Sequence, residues 1–260
     1  MHIGKPILVR GKPLGGGRVP AVCTPLVGRT GEQILSEVAQ VKVKQPDLLE
    51  WRVDFFADIG DLAKVLALAA DIRLASGGIP LLFTRHSARE GGESIAVSEE
   101  YVVAMVCAVC EAGMAELVDF EMASEPAHIA RVRAAAQAHG VALVLSHHNF
   151  QLTPPLDVLR QRFVQAQQLG ADVAKIAVMP QRLEDVLILL SATLESSQSL
   201  DIPLISMSMG SQGAPTRLFG GVFGSAMSFA VGASSSAPGQ VPIEDMSAAL
   251  RILAKSMGER

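Results

Sequence analysis

Lys175 stands inside Asp172-Val173-Ala174-Lys175-Ile176-Ala177-Val178, an ammonium in an apolar run with the content of a buried strand. Burial strips water from the charged form and is expected to lower the pKa of such a lysine. A neutral amine is the nucleophile that condenses with a ketone or aldehyde to give a Schiff base. The competing reading is structural: the stem lies along the strand and the ammonium pairs with Glu50 or Glu121. His147 and His148 close the preceding strand-like run, and either offers a base of near-neutral pKa to remove the proton beside the former carbonyl. Val144 and Leu145 are both apolar, so alternation leaves open which histidine faces the chemistry. As consecutive strand residues the two point to opposite faces and do not chelate one metal ion as an H-x-H pair does.

Arg217 is the single charged residue between Ile202 and Ile243. Its guanidinium needs an anion: either an acid from elsewhere in the chain, or a ligand carboxylate or phosphate bound bidentately. The run Ser234-Ser235-Ser236 with Gly239 offers hydroxyls and N–H groups to the same ligand, or reads as a solvated linker. Cys107-x-x-Cys110 invites a redox or zinc reading, but it lies in the apolar helical stretch after Val102 and no second pair exists. Two core thiols explain it better.

The elements that must position these groups follow from periodicity. Strand-like runs at Ala21 to Val27, Leu48 to Val53, Pro80 to Arg85, Ala115 to Glu121, Val141 to His147, Asp172 to Val178, Pro203 to Met207 and, weaker, Val222 to Met227 alternate with helical segments. Asp61 opens one helix and Gly77-Gly78 closes it; Gly140 and Gly170 end two others; Pro126 and Pro180 sit where a first helical turn begins. Eight strand–helix units in about 250 residues is the arithmetic of a (β/α)8 TIM barrel. A doubly wound open sheet is the alternative, and Pro25-Leu26-Val27-Gly28-Arg29 lacks its G-x-G-x-x-G turn. Ile3 to Val19 reads as a hairpin, so the chain divides into an N-terminal β-hairpin extension, residues 1–19, and the rest of one barrel domain, residues 1–260.

A barrel keeps its chemistry at the C-terminal ends of its strands, and polar residues fall there repeatedly. Alternation puts Glu50, Arg52 and Asp54 on one face and Trp51 and Val53 on the other. Thr84-Arg85, Asp119-Phe120-Glu121 and Ser146-His147-His148 end the next strands. Glu50 and Arg52 also fit a structural ion pair, because buried charges must be paired. Composition narrows the partners. Of 260 residues 49% are hydrophobic and 18% charged, with a net charge of −4, so no basic field serves nucleic acid. The longest uncharged stretch, Leu218 to Ile243, is broken by glycines and Pro238 and does not read as a membrane span. Met1-His2-Ile3-Gly4-Lys5-Pro6 opens no apolar signal segment, and three cysteines have no framework spacing, which together imply the cytoplasm.

These residues resemble type I 3-dehydroquinate dehydratase from about Val19 onward. The motifs that carry the likeness are Glu50-Trp51-Arg52-Val53-Asp54, Thr84-Arg85 with Glu90-Gly91-Gly92-Glu93, Ser146-x-His148-x-Phe150 and Lys175-Ile176-Ala177-Val178-Met179-Pro180. Met207-Ser208-Met209-Gly210, Phe223-Gly224-Ser225 and Ser236-Ala237-Pro238-Gly239-Gln240 follow in order. The resemblance implies dehydration of 3-dehydroquinate in the shikimate pathway, with Lys175 forming the Schiff base, His148 taking the C2 proton and Glu90 holding that histidine. It implies that Arg217 binds the carboxylate, that Glu50, Arg52 and Arg85 meet ring hydroxyls, and that Ser236, Ala237 and Gln240 close the site. Met207, Met209, Phe150 and Phe229 would wall it. It further implies a homodimer and neither a metal nor an organic cofactor. Many relatives read Asn-His-Asp where this chain reads His147-His148-Asn149. The register Ser-x-His-x-Phe keeps His148. Two rivals are a class I aldolase, which would need more phosphate donors than one arginine, and a sensor without turnover, which needs neither nucleophile nor base.

Overall fold

The computed structural model describes residues 5–258, so Ile3 and the rest of 1–4, with 259–260, lie outside the described residues. The chain opens on an antiparallel hairpin, β1 (Ile7–Val9) and β2 (Lys12–Leu14), turned by Arg10 and Gly11, both at positive φ. Two successive positive φ values give a turn whose twist matches that of the strands it joins. Eight parallel strands follow: β3 (Ala21–Leu26), β4 (Leu48–Arg52), β5 (Leu81–Thr84), β6 (Leu117–Glu121), β7 (Ala142–Asn149), β8 (Val173–Val178), β9 (Leu204–Ser208) and β10 (Met227–Val231). β10 pairs β3, and the barrel closes at a parallel bridge between Leu204 and Ser225, where the Ala226 N–H donates to the Leu204 carbonyl. A short β11 (Val241–Pro242) pairs in parallel alongside the C-terminal end of β10.

Helices α1 (Gly31–Lys42), α2 (Leu62–Ser76), α3 (Glu99–Glu111), α4 (Pro126–Ala138), α5 (Leu156–Gln168), α6 (Leu183–Ser199), α7 (Ala214–Phe219) and α8 (Ile243–Ser256) complete the (β/α)8 barrel. Their ends follow local chemistry. Asp61 caps α2 by accepting from the Ala63 and Lys64 N–H groups, and Gly77 ends it in a left-handed conformation. Cys107 and Cys110 are buried free thiols on α3.

Alternation along each strand sorts the interior into two layers. Trp51, Phe83, Val118, Leu145 and Ile176 face outward and pack under the helices. Cys23, Leu48, Leu82, Leu117, Val144 and Val173 face inward at the N-terminal end, and Val9 and Leu14 of the hairpin pack against them as a stopper. No described helix is long and apolar enough to cross a membrane.

Two boundaries differ from expectation. The last barrel strand runs over Met227–Val231 rather than Val222 to Met227. Gly220–Phe223 forms a 3-10 turn and Gly224 has φ +104, so the apolar Val222 and Phe223 belong to the turn, while small Ser228 and Ala230 dilute the true strand. Pro180 does not start α6. The helix begins at Leu183, because Asp185 accepts from the Gln181 and Arg182 N–H groups and fixes the cap there.

The closing seam rests on a side chain. Ser225 Oγ accepts from the Ser206 N–H at 3.1 Å and donates to the Met227 carbonyl at 3.2 Å, all of it buried. Ser225→Ala leaves the Ser206 N–H without a partner. A loss of about 1–3 kcal/mol in urea unfolding is expected, and a variant as stable as the parent would show that the seam closes without this serine.

Candidate active site

The same alternation that lines the bottom of the barrel with aliphatic groups places charges one layer higher. Leu48 leads to Glu50 and Arg52, Leu117 to Asp119 and Glu121, Val173 to Lys175, and Val144 to Ser146 and His148. This settles which histidine faces inward: His148 is buried in the interior, while His147 is only partly buried on the other face. Lys175 Nζ lies 2.7 Å from Asp119 Oδ2 and 3.5 Å from Glu50 Oε1, with about 3% of the lysine side chain exposed. Thr84 donates to Glu50 at 3.0 Å, and the Ser146 hydroxyl donates to the other oxygen of Asp119. The ammonium also stands 4.9 Å over the Phe229 ring.

The expected depression of the Lys175 pKa is overturned. Burial does push it down, but Asp119 and Glu50 outweigh burial, and the net direction is up. The resting group is an ammonium. Its partners are Glu50 and Asp119 rather than Glu121, which accepts instead from the Ser87 N–H. Burial pushes Asp119 up, but Lys175 together with His86 and His148 outweighs it and holds the carboxyl far below its usual range.

His148 is fixed from behind. Glu90 Oε2 accepts from the His148 backbone N–H and meets Nδ1, both at 2.9 Å, so ionised Glu90 favours the tautomer with the proton on Nδ1 and leaves Nε2 as a base. Burial, then the charge of Lys175, lowers the His148 pKa and keeps the ring uncharged. Glu90 itself is pushed up to about 7 by burial. Gly91, at φ +79, follows it where any Cβ would strike the Phe150 ring. Arg52 forms a bidentate pair with Asp54 at 2.9 and 2.7 Å.

Arg217 comes from α7 and is buried, its Nη2 donating to the Pro238 carbonyl at 3.0 Å. Its Nε has no partner, and no carboxylate of the described residues forms an ion pair with it. Burial lowers its pKa to about 10, which still leaves it charged at neutral pH. The loop above is braced by Gln240, which accepts from the Ser236 N–H and donates to its hydroxyl. Gly239, at φ +77, lies so near the Gly210 carbonyl that a Cβ would clash with it.

One pocket therefore gathers Lys175, His148, Glu50, Arg52, Arg217, Ser236, Ala237 and Gln240, with Met207, Met209, Phe150 and Phe229 as walls. Two expected residues stand apart. Glu90 touches the site through His148, and Arg85 is not part of the lining, because Glu99 at the start of α3 holds its guanidinium at 2.6 and 3.1 Å. Two others were missed. Asp119 was readable as an inward residue two positions after Leu117, yet its pairing with Lys175 needed the barrel's curvature. His86, on the loop after β5, lines the pocket and carries no strand period. Among the described residues no group of three or more His, Cys, Asp or Glu side chains is placed to hold a metal ion.

Comparison with known proteins gives concordant matches. The family model described as Type I 3-dehydroquinase matches residues 22–257. A 3-dehydroquinate dehydratase of Albidiferax ferrireducens is 58% identical over 259 residues, covering 100% of this chain and 98% of the relative. The crystal structure of the 3-dehydroquinate dehydratase of Geobacillus kaustophilus superposes with a TM-score of 0.95 at 48% identity, covering 98% of this chain and 99% of that one. A type I enzyme of Clostridium difficile carrying covalently modified comenic acid gives a TM-score of 0.92 at 36% identity, covering 97% and 99%.

The buried acids of the rim have a measurable consequence. Burial, and then Glu90, push Glu121 up from 4.5 to about 7. The folded chain therefore holds a proton at Glu121 that the unfolded chain has released. That contribution to stability is present at low pH and is lost as pH rises through about 7. Glu121→Gln cannot titrate, so its stability relative to the parent should increase between about pH 5 and 8. Melting temperatures of the two proteins across that range test this, and a constant difference would refute it.

Proposed function

We propose residue roles from the premise that the chain belongs to the type I 3-dehydroquinase family. It dehydrates 3-dehydroquinate to 3-dehydroshikimate, a reaction of the shikimate pathway. Arg217 binds the substrate carboxylate, for which its unpaired, desolvated guanidinium is suited. The C3 ketone then meets Lys175. Conversion of an ammonium and a ketone to an iminium and water conserves the positive charge and needs no net proton. His148 Nε2 removes the C2 proton, and the electron pair moves into the iminium to give an enamine. The enamine expels the C1 hydroxyl, which takes the proton from His148 and leaves as water. Hydrolysis of the remaining conjugated iminium returns the ketone and Lys175. The scheme draws on no metal or organic cofactor.

Glu90 fixes the tautomer and tilt of His148, and Glu50 and Arg52 meet ring hydroxyls. Arg85, bound by Glu99, anchors the loop that carries His86 and Glu90 rather than touching the ring. Ser236, Ala237 and Gln240 cover the substrate, and Met207, Met209, Phe150 and Phe229 exclude water. The observation that carries this reading is the Lys175 ammonium, held at 2.7 Å by Asp119 in a pocket that also holds Arg217, a cation with no acid partner among the described residues. One domain spans the chain, in keeping with relatives matched over nearly their whole length. Its three cysteines suit a reducing cytoplasm. The exposed Val158 and Val164 on α5 and Leu183 and Leu187 on the adjacent α6 suit a homodimer face.

Borohydride added with 3-dehydroquinate should leave a reduced adduct on Lys175. Lys175→Ala should bind substrate without turnover, and Arg217→Ala should raise KM by about 10- to 100-fold, the worth of a charge-assisted hydrogen bond. A Lys175→Ala protein that turns over normally would overturn the assignment. Light scattering should give the mass of two chains, and a single-chain mass would remove the dimer.

A further inference from the structure

Asp119 Oδ2 holds Lys175 Nζ, and a second nitrogen waits beside it. His86 is buried on the pocket wall, its ring tilted against that of His148 with centroids 4.3 Å apart. His86 Nε2 is buried, makes no hydrogen bond, and stands 3.7 Å from Asp119 Oδ2. That is beyond hydrogen-bond length and within a small rotation of it. A buried polar nitrogen left without a partner costs free energy, so its persistence calls for a state in which it is used.

Such a state follows from counting donors. The Lys175 ammonium has three N–H groups, shared between Asp119 and Glu50. Condensation with a ketone sends two of these hydrogens out as water with the carbonyl oxygen, and one N–H remains on the iminium. The charge is conserved while the donors fall from three to one. Glu50 keeps the Thr84 hydroxyl and Asp119 Oδ1 keeps the Ser146 hydroxyl. Asp119 Oδ2 has no such reserve among the described residues except His86.

We propose that His86 is a positioning residue that swings its Nε2–H onto Asp119 Oδ2 when Lys175 becomes an iminium. The inference rests on the reading of Lys175 as the Schiff-base lysine. A buried carboxylate that loses a donor gains proton affinity. Without the His86 bond, Asp119 draws the remaining proton from the iminium nitrogen, and the neutral imine no longer accepts the electron pair released at C2. With the bond in place, Asp119 stays an anion and the proton stays on nitrogen. Burial keeps the imidazole uncharged, so it supplies a donor without adding a second cation beside the iminium.

Three variants test this. His86→Phe preserves the ring packing without a donor; His86→Gln carries its amide nitrogen where Nε2 stands; His86→Asn carries it only as far as Nδ1. His86→Phe and His86→Asn should lower kcat about tenfold, the worth of one hydrogen bond to a charged group, with KM nearly unchanged. Borohydride capture on Lys175 should slow in parallel, and His86→Gln should restore both to within about threefold. Equal kcat for His86→Gln and His86→Asn, or parental kcat in His86→Phe, would overturn the proposal. Should the phenylalanine variant not fold, the Gln and Asn pair carries the same decision. No adduct on Lys175 in the parent would instead remove the Schiff-base reading, and this inference with it.

Discussion

Transferring an ammonium from water into a protein interior costs several kcal/mol after relaxation, and Lys175 is about 3% exposed inside a β-barrel. That cost sets the terms for the rest of the interior. Asp119 on β6 and Glu50 on β4 are brought to Lys175 on β8 by alternate strands of the barrel, and each carboxylate needs donors of its own, which Ser146 and Thr84 provide. Four strands thus converge on one cation. Only a closed parallel sheet, in which residues of alternate strands share a layer, brings such groups together without long, flexible side chains.

The charges above that layer are arranged unequally. Arg52 is neutralised by Asp54 and has little to gain from an anion. Arg217 is desolvated to the same degree and left with a carbonyl, a thioether contact and an unpaired Nε. A guanidinium in that condition is costly to hold, which is why the proposed role for Arg217 is to receive a carboxylate. On that proposal, the free energy gained at Arg217 would hold one end of the substrate while the other meets Lys175.

How much of this was legible in the chain depended on whether a residue's position followed a short period. Glu50, Arg52, Lys175 and His148 are strand residues, and a period of two carries them to the inner face once a barrel is assumed. The Ser-x-His-x-Phe register chose His148 over His147, and His148 is the one that faces inward for a geometric reason: Val144, Ser146 and His148 share a face. The strand at Met227–Val231 was misplaced because Ser228 and Ala230 are too small to signal burial. The Lys175 pKa was misjudged because burial is local in sequence while Asp119 is 56 residues away. Arg85 and His86 lie where β5 gives way to a loop, and no period tells which of two neighbours turns inward. There Glu99 captured the arginine and the imidazole took the pocket.

The hairpin at the other end of the barrel bears on the traffic of water. Val9 and Leu14, packed on Leu48, Leu82, Leu117 and Val173, stopper the end away from the chemistry. One turnover liberates a water when the imine forms and another when the C1 hydroxyl departs, and it takes one back to free the product. With the lower end sealed by aliphatic side chains, these molecules share the upper mouth with the substrate itself. The barrel works as a flask with one neck, and the order in which water and organic ligand pass each other there is part of the catalytic cycle.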